Sequence, residues 1–303
     1  MRGLRIELVL LGVVALLWGS AFVAIRAGLL AGASPFLFAA LRYAAATGVI
    51  AAAALATRQA RPSRGPFLIS SLLGGVCLMG AYAALVYWGE QYSAGGLAAV
   101  LVSTAPIWTA IVSIAALPTE RLHGLGWVAI ALGFVGVVLL FLPDLVGGGS
   151  GNLAGLLALI TAAAFAAVGS VGLRRLGMKP SGLWNLTGEF GVATIILVPL
   201  ALLTPGGLAF PVNAITVGTL IYLAIGSSVF GYGLYFVLLE RVGPARANVV
   251  AYLNPIVGLS VGFLLLGESV TPLELGGFAL ILLAVASLQL ERRRAPPAPA
   301  AGS

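Results

Sequence analysis

Ten long apolar runs separated by short polar segments occupy almost the whole chain, at approximately 7–31, 34–56, 66–89, 93–117, 122–142, 152–173, 180–203, 213–239, 243–266 and 271–290. A run of roughly 18 or more apolar residues is long enough for an α-helix to cross a hydrocarbon layer about 30 Å thick. Backbone N–H and C=O groups must be satisfied internally in lipid, so these runs predict helices rather than lipid-exposed loops or open sheet. The expected fold is all-α and membrane-embedded, with ten transmembrane helices.

The polar positions add an orientation. Only 8% of the 303 residues are charged while 60% are hydrophobic, a balance that no soluble core of this size shows. Of 16 Lys and Arg residues, Arg26 and Arg42 fall inside apolar runs. The others are Arg2, Arg5, Arg58, Arg61, Arg64, Arg121, Arg174, Arg175, Lys179, Arg241, Arg246, Arg292, Arg293 and Arg294. All of these belong to the N-terminus, to loops that follow an even-numbered helix, or to the C-terminus. Short basic loops stay on the cytoplasmic side, so both termini are expected in the cytoplasm of a multi-pass bacterial inner (plasma) membrane protein. The net charge of +7 then reflects orientation and attraction to anionic lipid headgroups, with no nucleic-acid partner expected. The first run is too long for a signal-peptide core and lacks a convincing cleavage site, so it is taken as helix 1. Cys77 is the single cysteine, which excludes an intramolecular disulfide. The Pro/Ala-rich end is expected to be a disordered cytoplasmic tail over 292–303.

The two halves share landmarks in the same order. Leu41-Arg42-Tyr43 aligns with Gly188-Glu189-Phe190, Glu90 with Glu240, Pro106 with Pro255, and Thr119-Glu120 with Gly267-Glu268, all at nearly one spacing. Trp18-Gly19 aligns less well with Phe165-Ala166. A duplication is implied, with one five-helix repeat over 1–145 and a second over 146–291. Five is odd, so the second repeat enters the membrane from the opposite face. Inverted repeats of this kind are common in secondary transporters, whose substrate site lies near the midplane between the halves. A duplicated structural bundle is the alternative.

These residues resemble the drug/metabolite transporter superfamily and its EamA-type branch. The resemblance is carried by Trp18-Gly19-Ser20-Ala21-Phe22, Leu41-Arg42-Tyr43, Ser93-Ala94 through Ala105-Pro106, and Glu120 in the first half. In the second half it is carried by Arg241-Val242-Gly243-Pro244-Ala245-Arg246, Asn254-Pro255, Gly267-Glu268 and Gly276-Gly277. It covers about residues 10 to 290, and within the branch the chain is most similar to the YddG-type exporters of amino acids. The resemblance implies ten helices in two inverted repeats, with helices 1 to 4 and 6 to 9 around a central cavity and helices 5 and 10 peripheral, so that a monomer holds the whole pathway. One departure is that helix 6 carries Phe165-Ala166 where a tryptophan is frequent in the family.

Charges inside a bilayer are costly and generally face a partner or an aqueous cavity. Arg42 and Glu189 are the clear cases. Glu189 would bind a proton or a substrate ammonium, or else anchor its helix through a local hydrogen bond, and the anchor is the preferred reading. Arg26 lies near the end of helix 1 and is expected to snorkel toward water. Aromatic rings can line a wet cavity while a hydroxyl or amide fixes orientation, so the candidate substrate-binding residues are Trp18, Phe22, Tyr82, Ser103, Phe165, Tyr232, Tyr252 and Asn254. Tyr87, Trp88 and Tyr92 are assigned instead to an interfacial belt. Pro106 and Pro255 remove a mid-helix hydrogen bond each and are candidate hinges.

Catalytic constellations are missing. His123 is the sole histidine, Asp144 is expected at the other face, Cys77 has no histidine a turn away, and neither HExxH nor GxSxG occurs, so an embedded enzyme is disfavoured and no cofactor or metal is expected. Glu7 lies at the edge of helix 1 and position 18 is Trp, which disfavours a cation antiporter built on a carboxylate within that helix. The resulting expectation is a secondary transporter exporting small amphipathic metabolites, amino acids above all, by alternating access. A multidrug or organic-cation exporter is the alternative.

Overall fold

The protein is described from a computed structural model covering residues 2–117, 123–146, 153–178 and 182–294. Glu120, Arg121, Lys179 and the tail from 295 onward lie outside the described residues, as do the side chains of Arg2, Arg5, Asp144 and Arg292, Arg293 and Arg294. The described residues form ten long helices: α1 (Arg2–Leu30), α2 (Pro35–Ala56), α3 (Arg64–Gly89), α4 (Gly95–Ala116), α5 (Gly124–Val146), α6 (Leu153–Arg175), α7 (Leu183–Leu203), α8 (Ala214–Val242), α9 (Val250–Leu266) and α10 (Pro272–Arg294). Among the described residues nine are long and apolar enough to span a membrane, and α9 is a shorter apolar helix preceded by a separate helical turn at Pro244–Ala247. No strand occurs among the described residues. Helix α10 continues through Arg294, beyond the expected start of the tail at 292.

Local chemistry sets the helix ends. Asn213 opens α8 by accepting from the amides of Ile215 and Thr216, while the Thr216 hydroxyl accepts from the Asn213 amide, a reciprocal capping box. Thr271 and Glu274 do the same for α10. Gly267 ends α9 with a left-handed backbone (φ 65) that a side chain would strain. On the outer surface Phe263, Leu264 and Leu265 are 64–74% exposed, as expected of a helix that faces lipid.

Helix partners fall into a pattern. Helix α1 packs on α8 and α9, α6 packs on α3 and α4, α2 packs on α7, and α5 packs on α10. Exchanging the first five helices for the last five maps this set of neighbours onto itself. The exchange point is visible at Tyr43 and Phe190, aligned positions on α2 and α7, whose ring centroids are 5.0 Å apart.

Two helices are widened at equivalent places. Gly74–Ala81 in α3 and Tyr222–Phe230 in α8 are π-helical. Such i→i+5 segments are rare and concentrate at functional sites. Helix α4 breaks between Val102 and Ala105, where the hydroxyls of Ser103 and Thr104 donate to the carbonyls of Val100 and Leu101. Pro106 sits just past this break, whereas Pro255 lies inside continuous α9 and is buried.

Candidate functional site: a central cavity

A cavity of about 560 Å³ occupies the middle of the bundle. Among the described residues its walls come from α1 to α4 and α6 to α9, with none from α5 or α10. Most of the lining is apolar or aromatic, interrupted by a few polar groups, the composition expected of a small-molecule site.

An aromatic wall runs across it. Trp18 lies 5.1 Å from Tyr232 and 4.9 Å from Tyr235 between centroids, and Phe190 lies 5.6 Å from Tyr232. The Trp18 indole N–H donates to the Ser227 carbonyl at 3.1 Å, and the Tyr232 hydroxyl donates to the Met79 sulfur at 3.5 Å. Ser227 and Ser228 lie within the π segment of α8, and their hydroxyls accept from Arg42 on α2. Trp18→Ala and Tyr82→Ala are expected to lower substrate flux about tenfold or more with folded protein retained, since stacking and cation–π contacts of desolvated rings are worth about 1–2 kcal/mol. Normal flux of both amino acids and organic cations in both variants would dismiss the aromatic wall as a substrate surface.

Arg42 is buried at 8% exposure. Its Nε donates to Ser228 Oγ at 3.0 Å, Nη2 to Ser227 Oγ at 3.2 Å and Nη1 to Tyr87 Oη at 3.3 Å, and the guanidinium carbon lies 5.3 Å from the Tyr43 centroid. All these partners are neutral. Glu189, also on the cavity, is 2% exposed, and its Oε1 is buried without a hydrogen-bond partner. The carboxylate packs on Gly74, where an added Cβ would come within 2.6 Å of Oε1. The helix anchor preferred from the sequence thus has no hydrogen bond at that oxygen. Asn254 lines the same space and its Oδ1 is likewise buried and unpartnered.

Of the sequence candidates, Trp18, Phe22, Tyr82, Ser103, Tyr232, Asn254, Pro106, Arg42 and Glu189 line the cavity. Phe165 does not: it is 38% exposed on the outer face of α6, and Ala166 takes the cavity position. One residue along a helix is a rotation of 100°, so a slip of one in aligning the halves moves the wrong side chain inward. Tyr252 is also absent from the wall, and its hydroxyl donates to the Val285 carbonyl on α10 at 3.1 Å. It sits two residues before Asn254, on the opposite side of α9. Tyr87, assigned to the belt, is 1% exposed and holds Arg42. Arg26, expected to snorkel, is half-buried, and its Nη1 donates to the carbonyls just past α3, Glu90 at 2.6 Å and Gln91 at 2.9 Å. Tyr43, Met79, Asn185 and Ser227 are lining residues that sequence reasoning did not select.

The two ends of the bundle differ. At one end Glu268 spans the halves, accepting from the amides of Gly95 at 2.7 Å and Gly96 at 2.9 Å at the start of α4. Glu90, at the same end, is fully buried with both carboxylate oxygens unpartnered. Its aligned counterpart Glu240 is exposed.

Residues 5–142 and 153–289 each match the EamA-like transporter family. The chain belongs to that family. Two EamA copies therefore account for both halves, and the drug/metabolite transporter assignment follows. Among similar proteins, the uncharacterized inner membrane transporter YedA of Escherichia coli K12 is 29% identical over 288 residues, covering 94% of this chain and 90% of its own. A probable terminal-alkyne amino-acid exporter of Streptantibioticus cattleyicolor is 30% identical over 278 residues, covering 91% and 90%. A probable amino-acid metabolite efflux pump of E. coli K12 is 29% identical, covering 89% and 92%. A crystal structure with a TM-score of 0.64 and 22% identity, covering 95% of this chain and 98% of its own, shares the fold.

Proposed function

We propose that this EamA transporter exports small amphipathic metabolites, amino acids including aromatic ones above all, by alternating access between two inverted repeats. The single observation that carries the reading is the cavity: it lies between the halves, excludes α5 and α10, and combines an aromatic wall with buried polar groups of both signs. The names of two relatives, an amino-acid exporter and an amino-acid metabolite efflux pump, point the same way. The Glu268 bridge ties the two halves together at one end, which this reading takes as the shut end. By the distribution of Arg and Lys that end faces away from the cytoplasm, and both termini lie in the cytoplasm. Since α5 and α10 stand apart from the cavity, one chain holds the full pathway in a bacterial inner membrane.

The test is uptake of a labelled amino-acid panel by proteoliposomes, with and without a pH gradient. Saturable uptake of at least one amino acid supports the reading, and transport of organic cations alone would replace it with multidrug export. Orientation is checked separately. A cysteine at Gly149 should react with an impermeant thiol reagent added outside intact cells and one at Ser63 should not; the reverse pattern would invert the topology.

A further inference from the structure

We infer that Arg42 and Glu189 form the two poles of a site for a zwitterionic α-amino acid, Arg42 taking the carboxylate and Glu189 the ammonium. This rests on the amino-acid reading above and adds the residues that discriminate. A guanidinium has five N–H donors, and three are used on Ser228, Ser227 and Tyr87. One N–H on each terminal nitrogen remains, and guanidinium donors of this kind pair strongly with a carboxylate. A buried cation whose partners are all neutral is incompletely compensated, and an anionic ligand group supplies what the protein does not. Glu189 presents the opposite case: an acceptor on the same cavity with a buried, unsatisfied oxygen. Leaving such a group unpaired costs free energy that a ligand donor recovers.

The placement of the two poles follows from the fold. Tyr43 and Phe190 touch where α2 and α7 cross, and Arg42 and Glu189 are the residues immediately before them. Because the halves are inverted, the two charges lie on opposite sides of the crossing, one toward each face of the membrane. They are held apart by packing rather than neutralised by each other: Arg42 is fixed by hydroxyls from α3 and α8, and Glu189 is wedged on Gly74. In this assignment a zwitterion occupies the cavity that both residues line, and the aromatic wall takes its side chain.

The experiment is competition against labelled L-phenylalanine on the purified full chain, using 3-phenylpropionate, which lacks the ammonium, and phenethylamine, which lacks the carboxylate. The wild type should prefer phenylalanine over each analogue by about ten- to a hundredfold, the effect of one charged hydrogen bond. Glu189→Gln should lose its preference over 3-phenylpropionate while keeping that over phenethylamine. Ser227→Ala and Arg42→Lys, which disturb the guanidinium to different degrees, should do the converse. A purely structural role would weaken all three ligands alike, so equal losses overturn the assignment, as would a Glu189→Gln protein that discriminates normally. If the folded wild type binds none of the three yet transports another solute, the amino-acid reading fails and the site with it. If it binds phenylalanine without discriminating, only the site fails.

Discussion

Glu268→Ala is expected to loosen the end of the bundle where Glu268 bridges the two halves and to reduce transport sharply. Its carboxylate accepts from two amides at the start of α4, Gly95 and Gly96, tying the second half to a helix of the first. These bonds are charge-assisted and complement the positive end of the α4 dipole. Losing both should cost about 2–3 kcal/mol, and in the proposed alternating-access cycle most of that cost falls on the state in which this end is shut. The ratio of closed to open states should move by roughly 30- to 150-fold. Ser93, buried at this end, offers the readout: a cysteine placed there should gain reactivity toward an impermeant maleimide in the Glu268→Ala background. Cys77 is buried and contributes little labelling. Glu268→Gln keeps acceptors without the charge and should fall between the two. Unchanged labelling together with unchanged flux would mean that the bridge does not hold the end.

Gly75→Leu should abolish function through packing. A Cβ at Gly75 would meet Val192 Cβ at 2.5 Å and the Glu189 carbonyl at 2.8 Å, so α3 and α7 would have to separate. Overpacking of a tight contact costs about 1–3 kcal/mol and more when backbone opposes it, and the same displacement moves Glu189 on the cavity wall. A drop of at least several degrees in thermal midpoint with loss of substrate binding is expected. Gly233→Ala is the control. Nothing lies within 4 Å of an added Cβ there, so helix propensity alone acts and stability should rise by up to about 1 kcal/mol. A Gly75→Leu protein as stable as the wild type would show that the α3–α7 contact is not close.

The membrane class, the ten helices and the membership of the EamA family were legible because each rests on a strong local signal: long apolar runs, basic loops and paired motifs in both halves. Charges in apolar runs pointed to Arg42 and Glu189 for the same reason. What escaped detection depended on rotation or on widening. Phe165 and Tyr252 have the right depth, but one position of slip in α6, and two residues of phase in α9, turn them off the wall. The π segments carry only a surplus of glycine as their signature, so the presentation of Ser227 and Ser228 to Arg42 could not be read. Tyr87 sits near a helix end, where a belt residue is expected, yet α2 covers it and makes it an interior ligand of Arg42. The bonds of Arg26 to carbonyls after α3, and of Glu268 to α4, are contacts between distant segments that no spacing encodes.

Counterflow tests the central claim most directly. Proteoliposomes preloaded with unlabelled L-phenylalanine or L-leucine and diluted into trace labelled amino acid should accumulate label transiently, faster than liposomes loaded with buffer. Transient overshoot requires a carrier whose one site is exposed to each side in turn. Folded protein that gives no overshoot with any amino acid of the panel, or label that only equilibrates at a rate proportional to concentration, would contradict alternating access through this cavity.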